Sequence, residues 1–320
     1  MTAENEPNLS LAAAIAAHNL TPHAALISRL ATPCIHLTFG DASVTSPLGA
    51  SRFGGTLDLP RGTAWASKQE AATIDSGWRA DPMGNESLPF LAQINFADAA
   101  RLAIPGSPLP EDGVLFAFMD IEQGLSQIRY AAADAVFEPR AFPDDLPPEL
   151  RYDPCAIMMT TSVSLPQYQD HGSIGKEPGQ NTFLDAFDPE AVPGLFTRDE
   201  KDGYSRLVRA VASPGDSHQM LGYPDTVQNP VILDWEWHDK AFGASYEYDY
   251  VALCDYHNPQ IQRLIASARE TRWTLLLQID SISSEPGICW GDGGTHYWWI
   301  KRDDLLRRDF SRVRYDFQSC

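Results

Sequence analysis

The sequence predicts an α+β fold: mainly antiparallel sheets in two pseudo-repeated halves of one compact body, with an N-terminal helix. Three observations predict it. Leu91-Ala92-Gln93-Ile94-Asn95 is echoed by Leu276-Leu277-Gln278-Ile279-Asp280. Each copy follows a Gly- and Pro-bearing loop, Phe53-Gly54-Gly55 running to Pro60 in one and Leu221-Gly222-Tyr223-Pro224 in the other. Each precedes a glycine that opens an aromatic strand, Gly113 before Val114 to Phe118 and Gly294 before Thr295 to Trp299. Short apolar runs also outnumber helical patterns, and helices do not follow strands in βαβ rhythm, which argues against a doubly wound parallel sheet.

The elements follow in order. Residues 9–30 read as helix, with Ser10 as the cap, and Thr21-Pro22 interrupts it because proline lacks an N–H and clashes with the preceding turn. Residues 34–39 alternate like a half-buried strand. A first half-repeat spans about residues 45–150. It holds a strand over 88–95, a short helix over 97–101, and a hairpin of 114–120 with 126–130 around Gly124. Residues 142–154 read as an extended connection and 156–165 as a strand. A polar connection runs over about 166–204. The second half-repeat spans about 205–318: a strand or short helix over 205–212, a helix over 258–269, a strand over 273–280, two aromatic strands around Trp290 to Gly294, a brief helix over 301–308 and a strand over 313–317.

Composition limits function. Lys plus Arg number 24 against 43 Asp plus Glu, a net charge of −19. Such a surface repels phosphate backbones and anionic lipid, so neither nucleic acid nor a membrane is the expected partner, whereas a basic protein partner fits. Five cysteines at wide spacing, without C-x-x-C, argue against a zinc site or a disulfide framework. No apolar run reaches the ~20 residues that span a bilayer, and residues 1–7 carry no Lys or Arg. A cytoplasmic setting is the expectation.

The order of several motifs resembles the YwqG-like family of bacterial proteins, a family labelled as a domain of unknown function. The residues are Ser51-Arg52-Phe53-Gly54-Gly55 with Leu59-Pro60 and Trp65, then Leu88 to Ile94, and Leu109-Pro110 with Gly113-Val114-Leu115. His218 to Pro224 with Gln228, Leu275 to Asp280, Trp290 to Gly294, and Asp304-Leu305 with Asp309-Phe310-Ser311 complete the set. The likeness spans roughly residues 45–318. It departs at Thr56-Leu57-Asp58, where the family carries an earlier proline, and at Trp65-Ala66, where it carries Trp-Pro. The resemblance implies an α+β fold with many strands and no established activity.

No motif spells out a reaction. Gly54-Gly55 and Gly291 to Gly294 fit tight turns, or nests of N–H groups for an anion, but neither has nucleotide-loop spacing. Gln93 and Gln278 sit in apolar strands, where an amide must be hydrogen-bonded. They either line a pocket between the halves or tie neighbouring loops to the sheet. With Arg52 and His218 they form the candidate ligand-binding set. Asp216, His218, Asp225 and His257 are the most metal-like group but lack metal-site spacing, and Cys289 near His296 is a weak thiolate–imidazole pair. No metal or cofactor is expected. Trp235, Trp237, Trp298 and Trp299 form the candidate partner-contact set: neighbours in a strand face opposite ways, so one of Trp298 and Trp299 is expected outside the core unless a helix covers it. The leading expectation is a non-catalytic protein-binding module, with an immunity role as one form. The alternative is a small-molecule binder or hydrolase with its cleft between the halves.

Overall fold

Helix α1 (Leu11–Ala17) begins where Ser10 Oγ accepts from Ala13 N at 3.3 Å. The computed structural model describes residues 10–40, 47–71, 85–166, 197–211, 217–225, 227, 235–236, 259, 263, 266–267, 270–283 and 287–319. Helix α1 ends in a Schellman turn. Asn19 adopts φ 59°, its N–H reaches Ala16 O, and Leu20 N–H reaches Ile15 O. Leu20 and Ile15 share one apolar cluster, the contact that accompanies this motif. Pro22 then starts a 3₁₀ turn over Thr21–His23, and α2 (Ala24–Leu30) follows. The predicted interruption is present, but α1 already ends at Ala17, with the turn at Asn19 rather than Pro22 stopping it, and Thr21-Pro22 opens the 3₁₀ turn that leads to α2.

The chain divides into two units. One comprises residues 1–34, 162–215 and 222–270, the other 35–161, 216–221 and 271–320. In the first, α1 and α2 pack against a helix over Arg198–Val211 through Ile15, Leu20, Ile27, Tyr204 and Leu207. Thr197 and Glu200 form a reciprocal capping box at its start: Glu200 Oε2 accepts from Thr197 N–H and Oγ1, and Glu200 N–H returns to Thr197 Oγ1. Residues 205–212, read as strand or short helix, fall largely in this helix, which begins inside the span read as connection. Residues 167–196 and most of the expected helix over 258–269 lie outside the described residues.

The strands are β1 (Thr32–Phe39), β2 (Arg52–Phe53), β3 (Leu57–Pro60), β4 (Phe90–Asn95), β5 (Val114–Asp120), β6 (Leu125–Ala131), β7 (Phe137–Arg140), β8 (Cys155–Ser164), β9 (Gln219–Met220), β10 (Trp273–Asp280), β11 (Thr295–Lys301) and β12 (Arg314–Gln318). Helices α3 (Lys68–Ala71), α4 (Phe96–Ala100), α5 (the Arg198–Val211 helix) and α6 (Arg302–Leu306) complete the set used below. Ten strands form one large antiparallel sheet in the order β12-β11-β10-β9-β1-β8-β2-β4-β5-β6, and β3 pairs with β7 in a separate layer. Mixed helix and strand, with an antiparallel sheet dominant, is the predicted class.

Residues directly opposite in an antiparallel pair share a face. Leu115, Ala117 and Met119 of β5 lie in the main apolar cluster, with Ile94 of β4 and Ile128 of β6. Val114, Phe116 and Phe118 face the other way, into a second cluster with Leu57 and Leu59 of β3. The sheet curls so that Trp298 Nε1 on β11 donates to Ser126 Oγ on β6 at 2.8 Å, joining strands near its two margins into an incomplete barrel. Phe310, in a 3₁₀ turn over Phe310–Arg312, stacks on Tyr130 of β6 at 4.9 Å. Each fully buried large apolar side chain of this kind is worth roughly 1.5–3 kcal/mol. Among the described residues no helix is long and apolar enough to cross a membrane.

Candidate functional site

Two loop–strand junctions carry the predicted ligand set. In the first, Arg52 of β2 pairs with Gln93 of β4. In the second, Gln219 of β9 pairs with Gln278 of β10. Gln93 Nε2 donates to Ala50 O at 2.7 Å and Gln278 Nε2 to Ser217 O at 2.6 Å, in each case the carbonyl two residues before that partner. Two residues beyond each glutamine, a backbone N–H donates to the side chain just before the partner: Asn95 N to Ser51 Oγ at 2.9 Å, and Asp280 N to His218 Nδ1 at 3.0 Å. The latter bond makes Nδ1 of His218 an acceptor and puts the neutral ring's proton on Nε2. Positive φ follows both partners, at Gly54 and Gly55 (59° and 69°) and at Leu221 and Gly222 (63° and 71°). Glycine is required at the first: a Cβ on Gly54 would lie 2.4 Å from Asp153 O.

The first junction holds a buried ion pair. Asp58 Oδ2 lies 2.8 Å from Arg52 Nη2 as an ion pair and accepts from Gly49 N at 2.8 Å and from Gln93 Nε2 at 3.0 Å, while Asp58 N donates to Gln93 Oε1 at 3.0 Å. Arg52, Asp58 and Gln93 are all buried. The second junction uses Asp280, which accepts from Ser217 N, Ser281 N and Thr295 Oγ1.

These positions do not converge on one cleft. Four strands separate β4 from β10 in the sheet. Gln93 lies opposite Phe116, on the face turned away from the main cluster, and Gln278 lies opposite Tyr297. Arg52 is joined to Gln93, and His218 to the loop that Gln278 holds, but the two groups are built separately. Both glutamines have no solvent exposure, and both tie a preceding loop to the sheet. Of the metal-like set, Asp216 and His257 lie outside the described residues. Among those described, no cluster of three His, Cys, Asp or Glu side chains is poised for a cation.

The expectation that Trp298 or Trp299 escapes the core is not met. Their exposures are 0% and 2%, and Trp235 is 5% exposed, so none presents a surface to a partner; Trp237 lies outside the described residues. Trp298 belongs to an interior cluster around His296, which also meets Trp290 and Phe317 at 4.9 and 4.7 Å. Burial drives His296 down to a pKa of about 3. Its Nδ1 lies 2.8 Å from Tyr315 Oη, and Nε2 has no hydrogen-bond partner among the described residues. Cys289 is exposed and turns its thiol to Gly291 O, not to His296.

The described surface carries a cleft of about 830 Å³ that the sequence did not signal. Trp65, Ser67 and Glu70 line one part, Ser87 another, Gln127 and Ile128 of β6 a third, and Ser311 a fourth. Helix α3 is positioned there by a capping box, in which Glu70 Oε2 accepts from Ser67 N–H and Oγ and Glu70 N–H donates to Ser67 Oγ. The S-x-x-E spacing of Ser67 and Glu70 was the one local signal of this helix. Arg129 bonds Ala64 O at 2.6 Å and Glu70 at 2.7 Å, fixing the segment to β6. Trp65 donates to Leu88 O and packs edge-on against Phe90 and Phe118. Ser87 bonds the exposed Asp145 through both N–H and Oγ.

A family model described as a domain of unknown function, DUF1963, matches residues 51–320. The chain belongs to this family. The DUF1963 span begins at Ser51, just before β2, and so includes Gln93, Gln278 and the cleft. The YwqG-like resemblance is consistent with that membership. No match was found among curated proteins.

Proposed function

We propose that this protein is a non-catalytic binding module for a protein partner, built on two repeated loop–strand halves and working in the cytoplasm. The observation that carries the binding reading is the cleft of about 830 Å³ beside Trp65, lined by Ala64 and Ile128 as well as by uncharged polar side chains and Glu70. The polar groups with the most chemical potential are engaged elsewhere. Gln93 and Asp58 bond each other and the loop of Gly49 and Ala50, Asp58 forms an ion pair with Arg52, and His218 accepts a backbone N–H. Gln93 and Asp58, held in this way, position the chain and do not need a substrate to satisfy them, whereas the buried Arg52 Nε and Nη2 have a charge partner in Asp58 but no hydrogen-bond acceptor among the described residues.

The repeat is supported by the sheet order and the bonds of the two junctions. From β1 and β8 outward, the order runs β9-β10-β11-β12 on one side and β2-β4-β5-β6 on the other. Register irregularities fall at Phe90/Ala92 and at Leu275/Leu277, the same distance before Gln93 and Gln278. The bond from Phe96 N to Gly113 O is matched by Ser281 N to Gly294 O. The thiols of Cys34 and Cys289, not joined in a disulfide, accord with a reducing compartment.

The test is crosslinking of the protein in its native cells, followed by binding of the recovered partner in purified form. The reading expects a saturable complex that raises the melting temperature, because a ligand of the native state stabilises by mass action. Turnover of ester, phosphate or glycoside substrates by the purified protein, abolished by Trp65→Ala, would replace it with the hydrolase alternative.

A further inference from the structure

The cleft lies at a strand edge and not on a sheet face. Gln127 and Ile128 are consecutive in β6, and they point to opposite faces. Gln127 lies opposite Phe118, on the side of the second cluster, while Ile128 lies opposite Ala117, in the main cluster. A single cleft lined by both must pass the edge of the strand between them. One edge of β6 is filled by β5 along the whole strand, from Val114↔Ala131 to Asp120↔Leu125. The cleft therefore lies along the other edge, where the ten-strand order ends.

Among the described residues, that edge has unused bonding capacity. An antiparallel strand spends alternate N–H and C=O groups on each neighbour, so β6 directs the remainder toward the cleft. No backbone hydrogen bond from β6 in that direction occurs among the described residues. Gln127 Oε1 is buried there, also without a hydrogen-bond partner among the described residues. Edge strands that avoid pairing usually carry charges or proline. Strand β6 has no proline and one charge, Arg129, whose guanidinium is already held by Ala64 O and Glu70.

We propose that β6 accepts an extended, basic segment of a protein partner as an added strand. This rests on the binding reading above and names its site and partner chemistry. Backbone pairing supplies the affinity, and alternate side chains of the segment enter the cleft beside Trp65. Glu70 is held by Ser67 and Arg129, so the exposed Asp145, which sits on the cleft residue Ser87, and the Gln127 carbonyl are the acceptors offered to incoming donors. The net charge of −19 attracts a basic segment and repels a second copy of the same chain.

The test uses a fluorescein-labelled peptide of alternating lysine and valine, its glutamate–valine counterpart, and two lysine–valine peptides N-methylated on one or the other alternate set of residues. Fluorescence anisotropy is expected to show saturable binding of the lysine peptide, about tenfold or more tighter than the glutamate peptide at low salt. Methylating one alternate set is expected to abolish binding and methylating the other to spare it, because only one edge of the peptide pairs. Gln127→Lys is expected to remove binding with an unchanged melting curve, and Val136→Ser, at an exposed position away from the cleft, to leave it intact. No saturable binding up to about 1 mM, equal effects of the two methylations, or full binding by folded Gln127→Lys overturns the proposal. A concentration-dependent dimer lost in Gln127→Lys assigns the edge to a second copy and also overturns it. If a purified partner binds Gln127→Lys as well as the unmodified protein, the partner reading stands and the edge proposal falls. If no partner binds at all, the partner reading itself fails.

Discussion

Gln93→Ala separates an architectural amide from a ligand-binding one. The substitution deletes three hydrogen bonds, to Ala50 O, Asp58 Oδ2 and Asp58 N, at a side chain with no solvent exposure. Neutral bonds contribute about 1 kcal/mol each and a bond to a carboxylate about 1.5–3 kcal/mol. The sum is about 4 kcal/mol, a large part of the 5–15 kcal/mol typical of a folded domain. For a unit of this size, each kcal/mol moves the midpoint by roughly 2–4 °C, so a fall of about 8–16 °C is expected in a thermal melt followed by circular dichroism. Gln93→Glu should be worse at neutral pH, because it places a second carboxylate beside Asp58, and should recover partly in acid. A loss of less than about 2 °C in Gln93→Ala would refute the reasoning and return the amide to the list of ligand contacts.

Other outcomes follow from the same structure. His296 is neutral and buried, with its pKa lowered to about 3 from 6.5. Its contribution to stability is complete above pH 6.5 and is lost as pH falls toward 3, because the unfolded chain takes up the proton first; urea unfolding should lose about 3 kcal/mol between pH 7 and 4 from this group, and a folded His296→Asn variant should show a shallower pH dependence. Gly54→Ala should destabilise by about 2 kcal/mol or more in the same urea assay, since positive φ and the approach to Asp153 O both oppose a side chain. Burial pushes the Cys34 thiol up to about 11, so iodoacetamide with peptide mapping should modify exposed Cys289 well before Cys34 or Cys155.

Strands β4, β5, β6 and β10 were readable because each combines an apolar run with a glycine or a polar boundary. An interruption near Thr21-Pro22 was equally plain, though the turn that ends α1 is made by Asn19. Strands β3 and β7 were not, because each contains proline, Pro60 and Pro139, which argues against an interior strand. They form a two-stranded layer of their own, where proline is tolerated. The residues of α5 looked ambiguous from 205 onward because its start is marked earlier, by Thr197 and Glu200. Trp298 and Trp299 misled for a different reason: alternation tells which faces two neighbours occupy, but not that both faces are covered. The glutamine junctions were visible as residues, and the choice between pocket and loop tie needed the partners in space. The cleft had no linear signature. Its lining comes from residues 64–70, 85–87, 127–128 and 311, and only the curl of the sheet and the 3₁₀ turn at Phe310 bring them together.

Amide hydrogen exchange on the protein with and without the lysine–valine peptide bears most directly on how this molecule binds. The account predicts slowed exchange at alternate amides of Leu125–Ala131, with the loops before Gln93 and Gln278 unchanged. Protection confined to those two loops, with β6 exchanging as in the free protein, would contradict it.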